Sequence, residues 1–429
     1  MNTAQIQSKP EPSALYRWGV LVFVSLAMFG NYYIYDCVSP LADLLAKQLN
    51  FSDSNIGLLQ AIYSIPNVFM VLIGGIVIDR LGTRISTFIF AMLCFLGALI
   101  TAISSSLTFM AAGRLIFGLG AESLIVAVTT VIGRWFKGKE LSFAFGVNLT
   151  IARLGSFAAL NSPSWGRSFY NYWQTPLLIG VAAGVISVVA VIVYIMMDVN
   201  ATRNYSLREV PKQDEVKLKE IFNFGHSFWY ITLLCVTFYS AIFPFQTFAV
   251  KFFMDTHGTT REFGGFLSSM LTLSAMILTP LFGLLADYMG KRSLLMMFGS
   301  LLIIPVYLLM AYTQVNLYIP MTIMGISFSL IPAVMWPSVA LIVDESRLGT
   351  AYGLMTMIQN IGLSGFNLLI GWANDTSGGY TMGMWIFSSL GFFGLLFAFL
   401  LRTSESGVRG HGLENGIKDK KKKEAEAIS

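Results

Sequence analysis

Residues 74–84 read GGIVIDRLGTR, and residues 282–292 read FGLLADYMGKR. The glycines, acid and arginine of the first stretch (Gly75, Asp79, Gly82, Arg84) recur in the second as Gly283, Asp287, Gly290 and Arg292, each 208 residues later. Each stretch joins the end of one apolar run to the start of the next. A signature repeated at this distance is the mark of an internally duplicated chain with a hinge at the same place in each copy.

The composition sets the solvent. Of 429 residues, 55% are hydrophobic and 12% charged, and the mean hydropathy is +0.67, values outside the range of soluble globular domains. Runs long enough to cross a hydrocarbon core of roughly 30 Å are expected at 16–40, 55–78, 85–106, 108–134, 140–163, 174–198, 227–254, 262–286, 293–312, 316–343, 349–373 and 380–402. The expected fold class is therefore an all-α polytopic membrane protein with twelve transmembrane helices. The expected divisions are a tail at 1–15, a six-helix half at 16–198, a linker at 199–226, a second six-helix half at 227–402 and a basic tail at 403–429.

Short loops rich in Lys and Arg stay cytoplasmic. With both termini inside, 22 of the 28 basic residues fall in cytoplasmic segments, and only Lys47, Arg167, Lys251 and Arg261 lie outside. The remaining two, Arg114 and Arg153, fall within apolar runs. The linker carries Arg203, Arg208, Lys212, Lys217 and Lys219, and the tail KDKKKKEAEAIS reads as solvated. The net charge of +5 follows from these loops and calls for no nucleic-acid partner. The first run is too long, and too rich in Tyr and Asp36, for a cleaved signal peptide.

Cys37, Cys94 and Cys235 fall in different runs without metal-like spacing and read as packing residues. No phosphate loop, zinc constellation or nucleophile elbow is present, so neither an ATP-driven pump nor a hydrolase is expected, and no cofactor or metal.

Charges inside an apolar span are expensive and point to a cavity or coupling path. Glu122 lies 15 residues before Lys137, the centre of a cytoplasmic loop, and Arg153 lies 16 residues after it. At about 1.5 Å per residue both sit roughly 23 Å from that loop, at one depth. Two readings are open. The pair forms a salt bridge joining the fourth and fifth runs, or it grips the ammonium and carboxylate of a zwitterion, a reading favoured because a buried pair adds little net stability. Asp36, flanked by Tyr32, Tyr33 and Tyr35, is either part of an interfacial belt or a substrate-facing acid.

Tyr239 and Gln246 flank Pro244, and Trp336 precedes Pro337; bent helices around a cavity are expected there. Arg114, two turns before Glu122, reads as a supporting or gating charge. Aligning Gly146 and Gly155 with Gly353 and Gly362, 207 residues on, sets Arg153 opposite Asn360 and Glu122 opposite Ser329. The second half then offers only neutral groups such as Gln359 and Asn360, and recognition should be asymmetric.

Gly75, Asp79, Arg80, Gly82 and Arg84 resemble the signature between helices two and three of the major facilitator superfamily, and GRLIFGLGAES, with Arg114, Gly118 and Gly120, resembles its motif in helix four. An ionised acid at a helix end can latch onto Arg groups or a helix N-terminus of a neighbour. Tyr288 replaces the basic residue of the first copy, which weakens the second latch.

RWFKGKELSFAFGVNLTIARLGS (134–156), YDCVSP, YSIPNV, FYSAIFPF, MWPSVALIV and LGTAYGLMTMIQNIGL narrow the resemblance to the lysosomal dipeptide transporter branch of that superfamily. The resemblance implies carriage of dipeptides without energetic coupling, with the branch's acid and arginine at Glu122 and Arg153; a monomer is expected. The branch's accessory glycoprotein is not carried over. The alternatives are a proton-coupled peptide symporter and an organic-anion or sugar-acid carrier; a non-transporting receptor or scaffold finds no support in the tails. An acidic dileucine signal is broken at Tyr16, and short termini look microbial, so a cell membrane is expected, with a lysosomal membrane the alternative for a eukaryotic source.

Overall fold

The computed structural model describes residues 10–136, 140–205, 224–344, 347–406 and 410–415. All the regular elements among them are helical. Most of the linker and of the basic tail, and the Lys137 loop centre, lie outside the described residues.

The chain enters the membrane as α1 (Ala14–Asp36), started by the Ser13 hydroxyl, which accepts from the Tyr16 N–H. A 3-10 turn (Ser39–Leu41) and the short α2 (Ala42–Leu49) follow, on the side that the basic-loop bias assigns to the outside. Next comes α3 (Asp53–Ile103), capped by Ser52 and interrupted at Gly82 (φ 78°, ψ 163°). The interruption is a reversal: the Ser86 hydroxyl donates to Val77 O at 3.3 Å, although nine residues of continuous helix would span about 13.5 Å. The two arms of α3 are thus the second and third expected spans.

Further on come α4 (Leu107–Phe136), α5 (Leu141–Leu160), the one-turn α6 (Ser162–Trp165) and α7 (Gln174–Asn204). The C-terminal set is α8 (His226–His257), α9 (Arg261–Met289), α10 (Arg292–Tyr312), α11 (Tyr318–Ile342), α12 (Leu348–Ser377) and α13 (Thr381–Glu405). By length and composition eleven helical spans among the described residues can cross a membrane, the one counted within α3 being Ile73–Ile103. The fold is that of an all-α membrane protein. Pro244 and Pro337, where bent helices are expected, lie inside α8 and α11.

Gly290 repeats the behaviour of Gly82, ending α9 at φ 65°, ψ −132°. Side chains with a Cβ rarely adopt such angles, which is why glycine stands at both sites. Gly75 and Gly283 lie inside the helices that lead into these turns.

In the membrane, helices gain little from hiding apolar surface that lipid already covers, so close packing and buried polar contacts hold them. Two apolar clusters form. One gathers Val20, Phe90, Phe117, Leu124 and Tyr194. The other gathers Phe245, Tyr307, Met335 and Phe387, and runs across the outer ends into Leu41, Leu59 and Met110.

Joining the two sets are α3 with α12 and α5 with α9. At Gly57 a Cβ would come within 2.4 Å of Asn367 O, and at Gly371 within 2.5 Å of Asp53 O, so these glycines let the backbones touch. Polar contacts between the sets gather on the same outer side. The Asp53 carboxylate pairs with Lys251 and accepts from Asn374 Nδ2 at 3.0 Å, while the Asp53 and Ser54 N–H groups donate to Asp375 at 2.8 Å each. Arg261 grips Asp43 at 2.5 Å, and Arg167 meets Glu262 at 2.9 Å. The outer side is sealed.

Candidate functional site: a charged cavity between the helix sets

Beneath that seal lies a cavity of about 260 Å³ walled by both sets. The N-terminal helices bring Asp36 and Tyr35 from α1, Tyr63 from α3, Glu122 from α4 and Arg153 from α5. The C-terminal helices bring Tyr239 and Phe243 from α8, Trp336 from α11, and Thr356, Gln359 and Asn360 from α12. Charge is confined to the N-terminal wall, as the repeat alignment expects. Asn360 faces the cavity and donates to Thr356 O at 3.0 Å. Ser329, the counterpart of Glu122, turns its hydroxyl back onto Gly325 O at 2.7 Å.

Of the nine residues the sequence offers for substrate contact, Gln246 does not reach the wall. Its side chain is buried elsewhere, and Phe243 holds the place instead. Tyr239 and Phe243 are four apart and share a face of α8, whereas Gln246 lies about 10 Å beyond Tyr239 towards the outer end. Tyr63, Ser156 and Thr356 join the wall unannounced. Ser156 stands one turn past Arg153, which is the only sequence signal that could have found it.

Glu122 and Arg153 are not bonded to each other, their charged groups lying more than 4.0 Å apart. Glu122 Oε1 accepts from the Tyr63 hydroxyl at 3.4 Å, a long contact. The Arg153 guanidinium lies 5.8 Å from the Tyr32 ring and 5.5 Å from the Phe328 ring. Aromatic faces attract a cation without occupying its N–H donors. The cavity therefore holds carboxyl groups at Asp36 and Glu122 and a guanidinium at Arg153 with donors to spare.

Arg114 stays behind this wall, 1% exposed. It donates to Leu59 O (3.2 Å), Ile34 O (3.1 Å) and Tyr35 O (3.4 Å) and to the Gln60 side chain, and it faces the rings of Tyr35, Tyr63 and Phe117. Carbonyl dipoles and ring faces replace a counter-ion. It touches residues of the cavity wall at Tyr35 and Tyr63.

The hinges depart from the expected latch. Asp79 and Arg80 are exposed, and Asp79 has no hydrogen-bond or ion-pair partner among the described residues. Arg84 is held by Asp198 of α7, Nε to Oδ2 at 2.5 Å, and by Thr202. Asp198, fully buried, also receives Arg134 at 3.3 Å and Trp135 Nε1 at 3.1 Å. In the second copy Asp287 pairs with Arg292 of its own hinge at 2.7 Å. In place of an acid latched onto a neighbouring helix end, one hinge is tied to α7 through its arginine and the other closes on itself.

Known proteins agree with this architecture. The model of the Major Facilitator Superfamily matches residues 24–258 and 245–424. The cattle (Bos taurus) protein named lysosomal dipeptide transporter MFSD1 is 33% identical over 387 residues, covering 87% of this chain and 83% of its own. Its human (Homo sapiens) namesake is 32% identical, covering 86% and 82%. Among solved structures, a bacterial homolog to the human lysosomal transporter Spinster, in an inward-facing and occupied conformation, superposes with a TM-score of 0.73 at 17% identity, over 91% of this chain and 98% of that one. The nucleoside transporter NupG gives 0.71, at 16% identity, over 90% and 98%. With the family model matched along nearly the whole chain, this multi-pass membrane protein belongs to the Major Facilitator Superfamily of transporters.

Proposed function

We propose that the chain carries dipeptides, or similarly small zwitterions, across its membrane, with the substrate ammonium at Glu122 and the carboxylate at Arg153. The observation that carries this reading is an acid and a guanidinium facing one cavity with neither neutralised by the other. A zwitterion bridging them would satisfy both at once, and charge-assisted contacts of this kind contribute about 1.5–3 kcal/mol each. The relatives named as dipeptide transporters support the substrate class.

Movement on this reading is alternating access: the six-helix units 16–198 and 227–402 rock about the cavity, the outer seal opening as the cytoplasmic ends close. The chain works as a monomer and a uniporter. Asp36, Tyr35, Tyr239, Trp336, Gln359 and Asn360 complete the substrate wall, and the glycines, acids and arginines of the two hinges, with Arg114, govern the change of state.

Binding to the purified chain tests the assignment. Glu122→Gln should weaken alanyl-leucine by about ten- to a hundredfold and leave N-acetyl-alanyl-leucine, already poor, unchanged. Arg153→Ala should do the same for the free carboxylate and spare the amide. Equal losses for all four combinations would refute the assignment.

Asp36, a second acid in the same cavity, favours a second reading in which a proton accompanies the peptide. An Escherichia coli (strain K12) hexuronate transporter, 29% identical over 42% of this chain and 41% of its own, favours a third, an organic-anion or sugar-acid carrier. Uptake into liposomes driven by a pH gradient supports the proton reading. Transport that ignores the amine supports the anion reading.

A further inference from the structure

The C-terminal helices place no charged side chain on the cavity wall, yet they reach the guanidinium of Arg153. Phe328 of α11, 2% exposed and itself outside the wall, lies with its ring 5.5 Å from that guanidinium carbon. The ring is held from behind. Phe238 stacks on it at 6.4 Å, and Phe243 meets it edge-on at 6.0 Å. On the N-terminal side, Tyr32 faces the same guanidinium at 5.8 Å.

The Arg153 guanidinium is thus met by two rings, one from each set of helices. An unpaired arginine on a long stem has several rotamers, and ordering it at the moment of binding costs affinity. Rings at the guanidinium restrict that freedom while leaving its in-plane N–H donors for an anion. Neither the hinge repeat nor the charge spacing points to Phe328.

We propose that Phe328 is a positioning residue for the substrate carboxylate: it acts through Arg153, holding the guanidinium ready for a ligand it does not itself touch. This rests on the reading of Arg153 given above. Through Phe328 the uncharged half of the protein contributes to recognising the charged end of the substrate.

The test uses the full chain in nanodiscs and two probes, alanyl-leucine and its C-terminal amide. Phe328→Leu removes the ring face and keeps an apolar side chain. It should weaken the free acid by between about twofold and thirtyfold, the range spanned by exposed and desolvated cation–π contacts, and leave the amide unchanged. Phe328→Tyr should bind as the parent does. In an Arg153→Ala background, Phe328→Leu should have no further effect.

Replacing Phe328 by 3,5-difluorophenylalanine keeps the shape and weakens the ring's negative face. It should reproduce part of the loss, and this arm decides the matter should the leucine variant misfold. Equal losses for acid and amide, no loss in either, or a loss that persists without Arg153 would overturn the proposal. Should Arg153→Ala itself fail to distinguish acid from amide, the parent reading of the site is what fails.

Discussion

Asp53→Asn should open the outer seal. Asp53 begins α3, its side chain only 6% exposed, and spans the interface between the helix sets through Lys251 and Asn374. The substitution keeps the size, the helix start and the backbone N–H bond to Asp375, but leaves the Lys251 ammonium facing a neutral amide. Breaking a fully buried pair costs about 3–5 kcal/mol, and a wholly exposed one is worth less than about 1 kcal/mol. The Lys251 side chain is 17% exposed and still faces the Tyr380 ring at 5.9 Å. An intermediate cost of about 1.5–3 kcal/mol follows, the range for hydrogen bonds to a charged group.

These contacts join the two sets, so the whole loss falls on the outward-closed state. At 1.4 kcal/mol per tenfold, the population ratio should shift towards outward-open by between about tenfold and a hundredfold. Spin labels at Lys47 and Gln314, exposed on the outer side of each set, report the change as a longer distance by pulsed electron resonance. Exchanging the partners (Asp53→Lys with Lys251→Asp) should restore part of the short distance, limited by the poor fit of a cation at a helix start. Superimposable distance distributions for the parent and Asp53→Asn would show that the ion pair does not hold the seal, and the reasoning would fall.

Asp198→Asn should lower the thermal midpoint, since Arg84 and Arg134 lose a shared carboxylate; both are partly exposed, so about 2–3 kcal/mol is expected, below the fully buried range. Adding Arg84→Gln should recover stability, and a midpoint indifferent to Asp198→Asn would count against the cluster. At Gly82 nothing lies within 4 Å of an added Cβ, so Gly82→Ala tests backbone strain alone: a loss of about 1–3 kcal/mol of stability is expected. A midpoint equal to the parent's would mean that the turn relaxes without the positive φ.

Much of the protein was legible in the chain because the signals are local. Apolar runs marked the spans, and the two copies of the hinge signature placed glycine where the backbone turns at positive φ, at Gly82 and Gly290. Counting residues along two helices from one loop set Glu122 and Arg153 at one depth, and both face the same cavity. Depth follows from a fixed rise per residue and needs no knowledge of neighbours.

Partners do need that knowledge. Asp198 meets Arg84 from 114 residues away, Tyr63 reaches Glu122 across 59, and Phe328 touches Arg153 from the other helix set. Gln246 and Phe243 are both on a helix that lines the cavity, and only the packing of α8 decides that Phe243 lies on the wall. Sequence period and composition fix where a side chain sits along its own helix; the rotation of that helix and the choice of neighbours depend on close contacts such as those at Gly57 and Gly371, which exist only once the helices have assembled.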